Sequence, residues 1–256
     1  MKTRKMALAS VLAAVSATGW AVAASRNGFA VSVLVDGLTR PEIRHRGTVY
    51  VEALRDKAYT LRLVNPTGVR VAVALAVDGL NTIDARHTDA RSAAKWVLEP
   101  YGTLDIAGWQ VSGGEARRFV FTTETASYGA WLGSTANLGV IEAAFFRERV
   151  PAVPVTGGEA AERQLVPRES AKKLEAPQAL SESAATGIGE RVEHRVRRVH
   201  LELEEEPAAV VRIRYEFRPQ LEALGVLPRA EGEDPLARRE RARGFEPYCP
   251  DPGRRW

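Results

Sequence analysis

Residues 59–81, YTLRLVNPTGVRVAVALAVDGLN, contain the clearest structural pattern in the chain. Bulky residues alternate with small or polar ones on both sides of residues 65–68, which is the period of a β-strand with one buried face. From Val69 to Val77 the intervening residues are mostly alanines, so we expect a buried Val/Leu face and a lightly covered Ala face. Because Pro66 presets φ and Gly68 tolerates positive φ, the pattern predicts two long strands joined as a hairpin.

Outward from this segment, the chain between Phe29 and Arg147 contains further short runs of alternating or β-branched residues separated by turn signals. The additional strands are predicted at residues 29–35, 48–53, 96–98, 104–109, 117–122 and 138–146. No helical period of any length interrupts them. We therefore predict an all-β fold, an antiparallel β-sandwich of about eight strands. Trp96 and Trp109 are predicted to fill a core built otherwise from Val and Ala.

The N-terminus has the layout of a secretory signal peptide. Basic residues within Met1–Lys5 precede an apolar run over residues 6–22, and Ala21-Val22-Ala23 forms a small-x-small cleavage site. An uncleaved membrane anchor is the alternative, but an anchor requires about 20 strongly apolar residues. We therefore predict a signal peptide over residues 1–23 and an exported protein, periplasmic or extracellular, with no membrane span after cleavage.

Charge and cysteine content argue against nucleic-acid binding and against a fold stabilised by internal disulfides. The chain has 36 basic and 32 acidic residues, and three of the basic residues lie in the predicted signal peptide, leaving 33. A nearly neutral mature chain does not indicate nucleic-acid binding. Cys249 is the only cysteine, so no internal disulfide can form and the stability must come from an ordinary core.

Composition divides the mature chain into four parts. These are a β-sandwich domain (24–149), a flexible linker rich in Pro, Gly, Glu, Ala and Ser (150–185), a small C-terminal β-hairpin plus short helix (186–227), and a disordered charged tail (228–256). The hairpin is predicted from strands at 196–203 and 210–217, and the helix from Pro219 in its first turn and Gly225 past its end. Since a lone hairpin is marginally stable, it should dock on the sandwich or on a second copy.

Several motifs between Thr48 and Arg147 resemble a group of exported bacterial proteins with no assigned function. The shared motifs are Tyr50-Val51-Glu52-Ala53, Val77-Asp78-Gly79-Leu80-Asn81, Gly108-Trp109, Phe119-x-Phe121 and Asn137-Leu138-Gly139-Val140-Ile141. A looser similarity extends to residues 186–190 and 213–215. The resemblance implies export and a β-sandwich domain, and it supplies no catalytic or binding residues.

The densest group of oxygen ligands follows the predicted strand that ends at Val77. It consists of Asp78, Asn81, Asp84 and Asp89, with His87 between them. A Ca²⁺ ion requires six to eight oxygens in one shell, and this spacing fits no EF-hand loop. Asp78-Gly79 is also the composition that a tight turn requires. Two interpretations stay open here, a calcium site and a set of ordinary turns.

No motif predicts a catalytic residue. The four histidines lack the spacing of a zinc site, no Gly-x-Ser-x-Gly sequence is present, and Cys249 has no histidine near it in sequence. The sequence therefore favours a protein without enzymatic activity. A hydrolase that uses the carboxylates or a metal at Asp78, Asp84 and Asp89 is the alternative.

Three aromatic residues in predicted turns are candidates for binding: Tyr101, Tyr128 and Trp131. Exposed aromatic rings stack against sugars or anchor protein partners. The leading hypothesis is therefore a secreted or periplasmic β-sandwich protein that binds another macromolecule, a protein or a glycan, through residues 81–94 and 128–137. A third hypothesis is a self-assembling structural subunit, in which the C-terminal strands complete the sheet of a neighbouring molecule.

Overall fold

The computed structural model describes residues 24–149 and 182–229. The predicted signal peptide, most of the predicted linker and nearly all of the predicted tail lie outside these residues. Within them, no helix has the length and apolarity needed to cross a bilayer.

The strands are β1 (Ala24–Arg26), β2 (Phe29–Val35), β3 (Leu38–Thr39), β4 (Glu42–His45), β5 (Thr48–Glu52), β6 (Ala58–Val64), β7 (Val71–Val77), β8 (Leu80–Asn81), β9 (Trp96–Leu98), β10 (Thr103–Ile106), β11 (Gly108–Gln110), β12 (Glu115–Thr123), β13 (Val140–Arg147), β14 (Ala184–Glu193) and β15 (Ala209–Glu216). A 3₁₀ turn (Glu124–Ala126) and two short helices, α1 (Tyr128–Trp131) and α2 (Arg218–Ala223), accompany them.

The strands form two sheets packed face to face. In the first sheet the order is β1-β2-β6-β12-β11, with β3 beside β2, β10 beside β6 and β14 beside β12. In the second it is β4-β5-β15-β13-β7-β8, with β9 beside β7. One pairing, β5 with β15, is parallel, and the other pairings are antiparallel. The predicted all-β sandwich is thus confirmed.

The core lies between the sheets and contains the residues that the alternating pattern predicts. Val71, Val73, Leu75 and Val77 of β7 are fully buried. Trp96 and Trp109 are buried as well, as predicted. The Ala face of β7 is covered by the chain after β8, where Ala93 packs with Ala74 and Ala144 in a small second cluster.

Four tight turns connect neighbouring strands, and each consists of one residue followed by glycine. Asn27-Gly28, Asp36-Gly37, Arg46-Gly47 and Asp78-Gly79 all have positive φ at both positions. This is the geometry of a type I′ turn, whose twist matches that of the flanking strands. The prediction of a turn at Asp78-Gly79 is therefore confirmed.

The predicted hairpin between β6 and β7 is wrong. The two strands are consecutive in the chain but lie in different sheets, β6 beside β2 and β12 and β7 beside β13. The buried side chain of Asn65 organises this crossing. Its amide nitrogen donates to the carbonyls of Val69 and Glu99, at 2.8 and 2.9 Å, and its oxygen accepts from the backbone N–H of Thr67 at 2.9 Å.

The predicted C-terminal hairpin is also wrong, whereas the short helix is confirmed as α2. β14 pairs with β12 in the first sheet, and β15 lies between β5 and β13 in the second. The predicted strand at 196–203 is absent except for a single bridge between Leu203 and Glu148. The chain after the predicted linker therefore completes both sheets of the sandwich.

Candidate functional site

Three aromatic side chains form a continuous series from the core to the surface. Trp109 on β11 is buried, and the ring of Tyr128 packs edge-on against it with 5.1 Å between centroids. Trp131 stacks on Tyr128 at 5.7 Å with an interplanar angle of 16°, and it is 78% exposed. The loop predicted here forms the one-turn helix α1, whose N-terminus is capped by Ser127 accepting from Ala130 N–H. A rigid base thus holds an exposed indole.

The loop that contains Trp131 meets the other predicted contact loop at Gly79. A Cβ at Gly79 would lie 2.8 Å from the Cβ of Asn137, so this close approach requires glycine. From the other side, the ring nitrogen Nδ1 of His87 forms a 2.8 Å hydrogen bond with the Gly79 carbonyl. Residues 81–94 and 128–137 therefore lie side by side at one end of the sandwich.

Tyr101 lies at the opposite end. It follows β9, its N–H donates to the Thr67 carbonyl at 2.9 Å, and its side chain is 75% exposed beside Gly68. Tyr101 lies at the end of the sandwich where β6 ends. Trp131 lies at the other end, because it follows β12, which is antiparallel to β6 and pairs through Val120 with Ala58 at the start of β6. The predicted binding residues thus divide into the pair Tyr128 and Trp131 and the separate Tyr101.

The predicted calcium ligands do not converge. Asp84 and Asp89 are exposed, and each accepts backbone N–H groups two or three residues ahead, in local turns. Hydrogen bonding by the Ser92 N–H lowers the pKa of Asp89. Asn81 is buried and bonds to the Ile83 N–H and the Ala94 carbonyl. No group of three acidic, histidine or cysteine side chains suited to a metal occurs within residues 24–149 and 182–229.

Asp78 has a different environment, because its carboxylate points into the core. One oxygen accepts from the Gly139 N–H at 2.8 Å and from the Tyr215 hydroxyl at 2.5 Å, and the other accepts from the Thr186 N–H at 2.7 Å. The Thr186 hydroxyl bonds to Tyr215 at 2.7 Å and to the hydroxyl of Tyr59 at 2.6 Å. Residues from β6, β14 and β15, the residue after β7 and the residue before β13 thus share one buried network, which we call the Asp78 network.

Burial raises the pKa of Asp78 to about 6. Its neighbours Tyr59 and Tyr215 are also fully buried, and burial raises the pKa of both phenols. Three hydroxyls in a row, each donating toward the carboxylate, satisfy the ionised form of Asp78. With 1% of its surface exposed and both oxygens occupied, Asp78 joins the two sheets and is not open to a substrate.

The Asp78 network has no counterpart in the sequence predictions, which treated Asp78 as a turn residue or a metal ligand. One signal for it exists in the sequence. Tyr59 and Tyr215 occupy positions that alternate in phase with buried residues, and a buried tyrosine hydroxyl requires a hydrogen-bond partner. Sequence alone does not show that Asp78 and Thr186, which are 108 residues apart, provide those partners.

Comparisons with protein-family models, with curated proteins and with solved structures found no match.

Proposed function

We propose that this chain is an exported, non-enzymatic β-sandwich protein that binds another protein through the surface around Trp131. The observation that supports it most directly is the exposed indole of Trp131, stacked on Tyr128 and through it on the core residue Trp109. A large exposed aromatic ring on a rigid base loses little entropy on binding, which is the property of interface hot spots. The predicted signal peptide supports an interaction outside the cytoplasm.

The composition around Trp131 favours a protein partner. Residues 128–138 contain no charged side chain, and the adjacent Leu132 is 41% exposed. Depletion of charge around a central aromatic residue is characteristic of the buried core of a protein interface. The neighbouring residues 81–94 carry several exposed charged side chains and would form its polar rim. A glycan partner is the other outcome that the experiment below detects.

The proposal is tested by a photo-crosslinking amino acid placed at position 131 in cells that export the protein. A matched chain carries the same probe at position 101, where the side chain is equally exposed at the opposite end of the sandwich. A protein adduct specific to position 131 is expected, and mass spectrometry identifies it. Adducts at both positions in equal amount would show that only general exposure is being detected.

Affinity measurements with the identified partner complete the test. Trp131→Ala should weaken binding about 30-fold, as for a hot-spot residue worth about 2 kcal/mol, whereas Tyr101→Ala should leave the affinity unchanged. Both variants should retain the unfolding midpoint of the parent protein. Unchanged affinity in Trp131→Ala contradicts the proposal. If no protein adduct forms and the protein instead binds a glycan in a panel, with the binding lost in Trp131→Ala, the partner is a glycan.

A further inference from the structure

The strand β14 forms one edge of the first sheet. It pairs with β12 on one side, and no other strand among the described residues pairs with its outer side. The first part of that outer side is covered by side chains of the second sheet, since Ala184 N–H donates to the Glu216 carboxylate at 2.9 Å and Thr186 N–H to Asp78. After Ile188 the register shifts at a β-bulge, and the edge continues without such cover.

The backbone beyond the bulge shows which residues face outward. His194 N–H donates to the Gly114 carbonyl at 2.9 Å, and Val196 N–H donates to the Gly113 carbonyl at 3.0 Å. The backbone N–H groups of the even-numbered residues here therefore point toward the sheet. Backbone groups alternate in direction along a strand. Arg191, Glu193 and Arg195 therefore direct their N–H and C=O groups away from the sheet, where an added strand would bind.

The charged side chains along this edge are complementary to those on the same edge of a second copy. An antiparallel copy related by a two-fold axis at Val192 places Arg191 of each copy opposite Glu193 of the other. We propose that two copies of this chain pair in this way along residues 190–194, beyond the bulge, which joins their first sheets into one continuous sheet.

The charges disfavour the two neighbouring registers. Moving the axis by one residue places Arg191 opposite itself or Glu193 opposite itself, and like charges directly opposite are unfavourable. Charged side chains on an edge usually discourage pairing, but their alternation in sign makes this edge attractive to an antiparallel copy. Because the two-fold axis brings the same surface together twice, the interaction closes as a dimer.

The proposed interface leaves the Trp131 surface open. Helix α1 lies against the opposite end of β14, where the Ala126 carbonyl approaches Gly187. Dimerisation and partner binding therefore use different parts of the molecule, and either can fail in an experiment without affecting the other.

Sedimentation velocity on the purified chain, from low micromolar to submillimolar concentration, tests the proposal. The parent protein should sediment as a dimer. Arg191→Glu or Glu193→Arg alone places like charges opposite each other twice, which should raise the dimer dissociation constant about tenfold or more. The double variant Arg191→Glu/Glu193→Arg exchanges the two charges and should restore the dimer.

Arg86→Glu is the matched control, because Arg86 is exposed on the loop after β8 and its substitution makes the same change in net charge. It should dimerise as the parent protein does, and circular dichroism should show that all variants are folded. The proposal is overturned if the parent protein is a monomer throughout the range. It is equally overturned if the single variants dimerise normally, or if the double variant fails to recover.

Discussion

Replacing Asp78 with alanine should destabilise the protein by about 4 kcal/mol. The substitution leaves the N–H groups of Gly139 and Thr186 buried without an acceptor, and each such group costs roughly 1–3 kcal/mol. Tyr215 loses one partner but keeps its hydrogen bond with the Thr186 hydroxyl. Asp78 also has positive φ, a conformation that Asp adopts more readily than Ala, which adds to the loss.

Asp78→Asn separates the hydrogen-bonding contribution from the others. Asparagine tolerates the same φ and keeps one oxygen, which can still accept from Gly139 and Tyr215. Its NH₂ group then faces the Thr186 N–H, donor against donor, so we expect a smaller loss of about 2 kcal/mol. Asp84→Asn is the matched control, because Asp84 is an exposed turn carboxylate in the same part of the chain, and it should change stability by less than about 0.5 kcal/mol.

Urea unfolding at neutral pH, followed by far-ultraviolet circular dichroism, measures these three differences. The expected order of destabilisation is Asp78→Ala, then Asp78→Asn, then Asp84→Asn. A loss of unfolding free energy below about 1 kcal/mol for Asp78→Ala would refute this prediction, because two buried N–H groups without an acceptor cannot cost so little unless water reaches them. A lower m-value in the variant would indicate that the compactness of its unfolded or folded state has changed. The comparison would then be repeated by thermal unfolding.

Two further perturbations test the same region. Because burial raises the folded-state pKa of Asp78 from 3.8 to about 6, the protonated carboxyl adds a pH-dependent part to the stability. This part is full below pH 3.8 and is lost as the pH rises through 6, beyond which the hydrogen bonds of the ionised carboxylate remain. The loss corresponds to about 3 kcal/mol, and unfolding at a series of pH values should show it in the parent protein and not in Asp78→Asn; identical slopes would contradict it. Gly189→Ala should destabilise by about 1–3 kcal/mol, since its Cβ would lie 2.7 Å from Val120 Cγ2. Gly113→Ala has open space around the new Cβ and serves as the control, and equal unfolding midpoints for the two variants would exclude this packing argument.

Alternation of residue size predicted individual strands well, because each inner face must be apolar. Val71, Val73 and Val77 are buried as expected, and Trp96 and Trp109 lie in the core. The turn at Asp78-Gly79 and the helix after Arg218 were also predictable, since glycine and proline limit the local backbone directly. These features depend on a few neighbouring residues, which is the range over which sequence patterns are informative.

Strand pairing was less predictable, because the same alternation suits either sheet of a sandwich. Nothing in residues 65–68 distinguishes a hairpin from a crossing between sheets; the deciding contacts are those of Asn65 with Val69 and the distant Glu99. β14 escaped prediction for a related reason. Gly187 and Gly189 weaken the strand pattern, yet β14 approaches the side chains of β12 closely at both. A Cβ would lie 3.1 Å from Thr122 at the first position and 2.7 Å from Val120 at the second.

The candidate site could be predicted as separate residues but not as an arrangement. Tyr128 and Trp131 were recognisable as aromatic candidates in a loop. The structure shows that Trp131 is exposed, whereas Tyr128 is half-buried between Trp131 and Trp109. Asp78 was recognisable as a polar residue at a strand end, but its role depends on Thr186 and Tyr215, more than a hundred residues later in the chain. Long-range partners of this kind follow from the topology and not from any local motif.

The topology also connects the C-terminal segment to the proposed binding surface. β15 fills the position between β5 and β13 in the second sheet, and Tyr215 and Thr186 supply two of the three groups that hold the Asp78 carboxylate. The third, the Gly139 N–H, belongs to the end of the loop that contains Trp131. Since Asp78 precedes Gly79, where the two proposed contact loops meet, the C-terminal strands position the same end of the sandwich that presents Trp131. The segment after the predicted linker is therefore required for the geometry of that surface as well as for the completeness of both sheets.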